Sequence, residues 1–212
     1  MKYEIIFTLS LAYLLGSIPF GYIFTKLYGL GDLRTKGSGN IGATNALRVG
    51  GRKLAIFTLL ADAAKGLAAV WLGRIAYAHG VILPWPTEAA FIVMLHGALA
   101  IIGHIFPIFL KFHGGKGVST FIGALAGFSP GLALIFIGCW VIIAFISRYS
   151  SLAALISIWI CCDITAIRYT NLPISILFML IAVLISYCHR ENIKRLITGC
   201  ENKIGTKKHD SQ

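Results

Sequence analysis

The chain has 212 residues, of which 57% are hydrophobic and 13% charged, with a formal net charge of +11. That charged share is about half of what a soluble domain carries, which excludes a water-soluble globule and leaves a polytopic membrane protein. In that setting the positive excess points to an anionic leaflet and anionic substrates, and away from nucleic acid.

Apolar segments fall at 4–27, 54–78, 88–110, 117–129, 131–147, 152–168 and 172–188. They predict an all-α fold, a single transmembrane domain over 1–212 with seven transmembrane helices. The first segment lacks an A-x-A cleavage pattern and reads as a retained span. The fourth is short: thirteen residues rise only about 20 Å against a ~30 Å hydrocarbon core. The rival is one long helix from 117 to 147, but "FSPG" at 128–131 favours a turn.

The lysines and arginines decide between these readings. With the N-terminus outside and seven crossings, the inner loops hold Arg34, Lys36, Arg48, Arg52 and Lys53, then Lys111 and Lys116, then Arg148. The inner tail holds Arg190, Lys194, Arg195, Lys203, Lys207 and Lys208, while Lys2, Arg74 and Arg168 lie outside. The positive-inside bias therefore favours the hairpin and a cytoplasmic C-terminus.

On that topology every polar, glycine-rich stretch falls on the cytoplasmic face. The first is "KGSGNIGATNALRVGGRK", Lys36 to Lys53, a loop able to aim many N–H and O–H donors at one anion. The second, "FHGGKG", combines glycines that permit close backbone approach with a lysine point charge. It lacks the GxxxxGK[ST] spacing and a preceding strand, so it is not a P-loop. The third, "SRYSSLAA", joins an interfacial Arg148 and Tyr149 to serines suited to capping a helix. In the fourth, "HRENIKRL", His189 and Asn192 are three apart and share a helical face. A basic tail lying on anionic lipid is the competing reading there.

Within the spans, Asp62 and Lys65 are spaced as an internal ion pair bracing the bundle, and Asp163 stands alone. His96 and His104 are eight apart, about 80° around a helix, which is a poor metal pair. The five cysteines have no ligand spacing and read as small apolar residues. No Ser-His-Asp elbow, HExxH or H-x-x-x-x-D pattern occurs; Phe109 stands where the last would need an aspartate after His104. This argues against the common thioester-using glycerolipid acyltransferases.

Four motifs in order, "GSGNIGATNALR", "GHIFPIFLKFHGGKGVST", "RYSSLAAL" and "HRENIKRLITGCENKIG", resemble the bacterial glycerol-3-phosphate acyltransferases that use acyl phosphate as donor. The resemblance covers nearly the whole chain. It implies acyl transfer from acyl phosphate to sn-glycerol 3-phosphate in the bacterial inner membrane, at a site facing the cytoplasm. The partners implied are those two substrates and membrane lipids, with no cofactor and no metal. The matching active-site positions are Ser38, Arg48, Lys116, Ser151, His189 and Asn192. Around them the substrate- and phosphate-binding set is Gly37, Gly39, Asn40, Gly42, Thr44, Asn45, His104, Gly114, Gly115 and Gly117. Ile41 stands where the family commonly has proline, and Ser119 where it commonly has alanine. The reading from another class is a small anion transporter or channel, with Asp62, Lys65 and Asp163 lining a path and the glycine loops as a gate.

Overall fold

The computed structural model describes residues 2–79, 86–169 and 172–205. Lys207 and Lys208 of the expected inner tail lie outside these residues. Among the described residues the regular structure is entirely helical: α1 Lys2–Ser17, α2 Phe20–Leu27, α3 Ala43–Ala78, α4 Pro86–Ile105, α5 Val118–Phe128, α6 Pro130–Ser147, α7 Ser150–Tyr169, α8 Leu172–Cys188 and α9 Arg190–Ile197.

Two expected segments are divided differently. The first apolar run is not one helix but α1 and α2, broken at Ile18–Pro19. Proline has no N–H to donate and disfavours helical geometry in the residue before it. The expected first loop is helical from Ala43 onward and is interrupted at Gly51, with φ 79° and ψ −171°, a conformation open to glycine.

The hairpin at 128–131 is present. Ser129 is extended (φ −150°, ψ 101°) and Pro130 opens α6, so α5 and α6 are separate helices. Among the described residues five segments are long and apolar enough to cross a membrane: Tyr3–Leu27, Ala43–Ala78, Ala89–Leu110, Pro130–Ser147 and Ser150–Tyr169. The pair α8 and α9 adds a sixth if counted together across its 63° bend, and α5 is a shorter apolar helix. Their outer surfaces suit lipid, with Leu134, Ile142, Phe145 and Ile146 exposed along α6.

Glycines set how closely these helices approach, because in lipid the association of spans depends on packing between small residues. A Cβ on Gly66 of α3 would lie 2.1 Å from the Thr120 carbonyl oxygen, and one on Gly123 of α5 would lie 1.8 Å from that of Ala63. Gly16 and Gly103 bring α1 against α4 in the same way. Further along, Gly127 meets Val70, and Arg74 donates to the carbonyls of Gly127 and Phe128 at 2.9 and 3.0 Å. Contacts thus climb α3 and α5 together, so the two run parallel. Arg74 also satisfies carbonyls that the end of α5 leaves free.

Phe121, Phe136 and Phe178 stack edge-on in the core, which carries α6 and α8 on the far side of α5. A smaller cluster of Leu33, Ile41, Ala46, Leu54 and Leu110 seals the end where the polar loops gather.

Gly123→Val is expected to cost about 1–3 kcal/mol through overpacking, read as a lower thermal midpoint in detergent. Gly138→Val on α6, where an added Cβ meets nothing within 4 Å, should leave the midpoint unchanged. Equal midpoints for the two variants would contradict the close α3–α5 approach.

Candidate active site

The first loop is organised around one buried side chain. Asn45 accepts from the Ser38 amide at 2.8 Å and donates to the carbonyls of Leu33, Lys36 and Asn40 at 3.2, 2.9 and 2.8 Å. Asn40 turns its side-chain oxygen to the Gly42 amide at 2.7 Å. Gly37 has φ 62° and Gly39 φ 73°, and a Cβ on Gly37 would strike Asn45 Oδ1 at 2.2 Å. The expectation that Asn45 presents itself to an anion is therefore corrected. Its amide is consumed in shaping the loop, and Asn40 works for the same turn. Ser38, Thr44 and Arg48 are among the exposed side chains, the last two one helical turn apart. Ile41 fills the sealing cluster and is buried, which is how the chain uses an apolar residue there.

The second loop leaves α4 through a single 3-10 turn, Ile108–Leu110, and doubles back. The Gly114 amide donates to Ile105 O and the Gly115 amide to His104 O, each at 3.0 Å. A Cβ on Gly114 would meet His104 O at 2.1 Å, and one on Gly115 would meet His104 Nε2 at 2.0 Å. These glycines are needed for close packing, and their N–H groups are spent inside the protein. The expected amide cradle at Gly114 and Gly115 is corrected accordingly. His104 is buried beneath Gly115, 3.5 Å from Asp62 Oδ1, and faces the bundle interior where a substrate-contacting role had been expected. What the motif offers outward is the Lys116 ammonium. Gly117, at φ 86°, then starts α5.

The third and fourth motifs close over Lys116. α8 ends at Cys188, and α9 leaves at 63° with His189 as its cap. Lys116 donates to Asn192 Oδ1. Asn192 Nδ2 donates to Glu201 Oε1 at 2.7 Å, Arg195 Nε to Glu201 Oε2 at 2.7 Å, and the Ser151 hydroxyl to Glu201 Oε1 at 3.0 Å. Glu201 sits on a strap that follows α9 and is pinned by Ile204, whose amide donates to Arg148 O at 2.7 Å. The Arg148 guanidinium returns a 3.0 Å bond to Ile204 O. His189 is buried, with Nδ1 2.8 Å from Ile185 O. A carbonyl only accepts, so Nδ1 carries the hydrogen and a neutral ring keeps its lone pair at Nε2.

Burial lowers the Lys116 pKa to about 8; Glu201 opposes the shift, while Arg195 and Arg48 reinforce it. Burial, reinforced by the Lys116 cation, pushes His189 down to about 4, so its ring is neutral near pH 7. Burial alone would raise Glu201, but the bonds from Asn192, Arg195 and Ser151 hold it below the usual carboxylate range. Lys116, Ser151, His189 and Asn192 thus converge. Arg48 is close enough for its charge to act on Lys116, and Ser38 stands exposed on the first loop. Glu201 and Arg195 were not foreseen as site residues, although Glu201 lies in the quoted "GCENKIG" stretch.

The sequence profile described as glycerol-3-phosphate acyltransferase matches residues 6–199. The chain belongs to this family. A glycerol-3-phosphate acyltransferase of Sinorhizobium medicae is 46% identical over 199 residues, 94% of this chain and 92% of its own length. One from a Bradyrhizobium species is 49% identical over 201 residues, 94% of this chain and 95% of its own. Two crystal structures of PlsY (YgiH), an integral membrane glycerol 3-phosphate acyltransferase, superpose closely. The glycerol 3-phosphate form has a TM-score of 0.84 at 36% identity, and the lysophosphatidic acid form 0.81 at 34%. Each alignment covers 95% of this chain and 96% of the other. Membership makes this an integral membrane acyltransferase of phospholipid synthesis.

The electrostatics predict an unusual amine. Acetylation of Lys116 by a water-soluble reagent, followed by mass spectrometry across pH, should show a midpoint near 8. A midpoint at the ordinary lysine value of 10.5 would mean that Lys116 is not desolvated in this cluster.

Proposed function

We propose that this chain transfers an acyl group from an acyl phosphate to the 1-hydroxyl of sn-glycerol 3-phosphate, releasing inorganic phosphate and 1-acyl-glycerol 3-phosphate. It works as a single transmembrane domain of seven crossings in the bacterial inner membrane, N-terminus outside, with the site on the cytoplasmic face. The observation that carries this reading is the half-buried Lys116 ammonium, joined through Asn192 to Glu201 and flanked by Arg48 and Arg195. Arg195 meets the carboxylate directly, Lys116 meets it through Asn192, and Arg48 adds its charge nearby, leaving positive charge for substrate phosphates. The relatives crystallised with glycerol 3-phosphate and with lysophosphatidic acid support the acceptor and the product. The orientation is supported by the cations at the site end, Arg34, Lys36, Arg48, Lys111, Lys116, Arg148, Arg190, Lys194 and Arg195.

The donor is a mixed anhydride and is already activated. The glycerol hydroxyl oxygen attacks the acyl carbon, the bond from that carbon to the phosphate oxygen breaks, and the hydroxyl proton leaves on the departing phosphate. His189 Nε2 is an acceptor that aims the hydroxyl, so its low pKa suits orientation more than proton storage. Lys116 and Arg48 carry phosphate charge, and Ser38 and Thr44 add hydroxyl donors. Holding two substrates in line is worth up to about 7–11 kcal/mol of effective molarity.

Purified protein in detergent micelles should consume palmitoyl phosphate and ignore palmitoyl-CoA, with EDTA present. A transporter shows nothing in micelles, and dependence on the thioester would overturn the donor. Lys116→Met removes one charge-assisted bond at ~2–3 kcal/mol, or about a hundredfold in rate, whereas exposed Lys111→Met should change little. The reverse pattern would place the phosphate site elsewhere.

The pH profile follows from the sign of the Lys116 shift. With a pKa near 8 the free enzyme carries the cation below that pH and loses it above, so kcat/KM should fall on the alkaline side with a midpoint near 8. A bound phosphate dianion favours the protonated amine, so kcat at saturation should hold to higher pH. Finally, single cysteines at Thr35 and His113, on a cysteine-free background, should react with an impermeant reagent only after permeabilisation. Labelling of intact cells would reverse the orientation.

A further inference from the structure

A set of charged groups lies inside the bundle and is left unused by the chemistry above. Lys65 and Asp62, one turn apart on α3, form a 2.9 Å pair with side chains only 2% exposed. Lys65 Nζ also donates 2.9 Å to Ile18 O, a carbonyl at the α1–α2 break. The carboxylate balances the charge of the ammonium, and the carbonyl takes a second of its N–H groups. His104 of α4 nevertheless joins the cluster, with Nδ1 3.5 Å from Asp62 Oδ1. A third titratable group deep in a membrane bundle is costly unless it has work to do.

The opposite side of the ring shows what that work is. His104 meets Gly115 twice: its carbonyl accepts the Gly115 amide at 3.0 Å, and its Nε2 lies where a Gly115 Cβ would come within 2.0 Å. The next residue is Lys116, whose ammonium must reach Asn192. Any shift of Gly115 therefore displaces Lys116 directly.

We propose that His104, braced by the Lys65–Asp62 pair, is a positioning residue that fixes the Gly115 corner and through it the placement of Lys116. The same brace holds the α1–α2 break. Gly21 of α2 supports Ile41 of the first loop so closely that a Cβ there would sit 1.9 Å from Ile41 O. One buried network thus ties the lysine loop to the loop carrying Ser38 and sets their separation. A misplacement of ~1 Å costs as much as a hundredfold in rate.

The kinetic part of the test rests on the acyl-transfer reading, but the labelling part does not. His104→Gln, Gly115→Ala and the double variant His104→Ala/Gly115→Ala are made in the full chain. In His104→Gln the acetylation midpoint of Lys116 should move from about 8 toward 10.5, and kcat/KM should fall at least about tenfold at an unchanged thermal midpoint. Gly115→Ala should raise the Michaelis constant of the same substrate as His104→Gln does, because both disturb one corner. Removing the ring makes room for the methyl, so the double variant should lose far less than the product of the single losses. If His104→Gln does not fold, Gly115→Ala alone reads the same contact through the Lys116 midpoint. An unchanged midpoint in folded variants, or losses that simply multiply, overturns the proposal. A shifted midpoint in a protein that transfers no acyl group upholds it and rejects the acyl-transfer reading.

Discussion

Lys116 and Glu201 lie on different strands of the chain's path, one at the foot of α5 and the other on the strap beyond α9, and Asn192 stands between them. Its amide donates to the carboxylate and its oxygen accepts from the ammonium, so the pair is bridged and its orientation cannot flip without losing both bonds. The rest of the site depends on this bridge. Glu201 also holds Ser151 and Arg195, which brings α7 and α9 to the same point. A carboxylate with a side chain 5% exposed tolerates burial because its oxygens are met by three donors.

The bundle makes this convergence possible by bringing helix backbones unusually close. Gly66, Gly123 and Gly127 lay α5 along α3, and Gly16 and Gly103 lay α1 along α4. Where the polar loops fold back onto the bundle they are sealed by Leu33, Ile41, Ala46, Leu54 and Leu110, and Asn45 saturates the polar groups that this buries. Asn45 shows the principle, since its side-chain amide replaces the hydrogen bonds that a left-handed glycine turn cannot make with itself.

Much of this was legible in the amino-acid sequence. The apolar runs foretold an all-helical membrane bundle, and the Ser129–Pro130 turn divided α5 from α6 because proline and serine mark a helix start. The Asp62–Lys65 pair followed from its spacing and its cost in lipid. Other features depend on tertiary contacts that no local pattern encodes. Glu201 bonds to Ser151 fifty residues away, so only the folded strap reveals it. Gly114 and Gly115 looked free because composition reports what a backbone can do, whereas the carbonyls of His104 and Ile105 decide what it does. The helix that begins at Ala43 was hidden by the Gly50–Gly51 pair, which suggests a loop until Asn45 and Ala46 are seen to be buried on one face.

The hydrogen-bond directions also bear on how such a site works. Ser151 gives its hydrogen to Glu201, which is held below the usual carboxylate range. A carboxylate so stabilised is a poor base near neutral pH, so it does not turn the serine into an alkoxide. His189 cannot serve Ser151 from Nδ1, because that nitrogen is committed to the Ile185 carbonyl. The bond that Ser151 makes therefore does not activate it for an acyl-enzyme route. Direct transfer needs no such base when the donor arrives activated and the leaving phosphate can take the proton. On the proposed reaction, Lys116, Asn192 and Glu201 hold charge and geometry and leave the bond-making to the substrates.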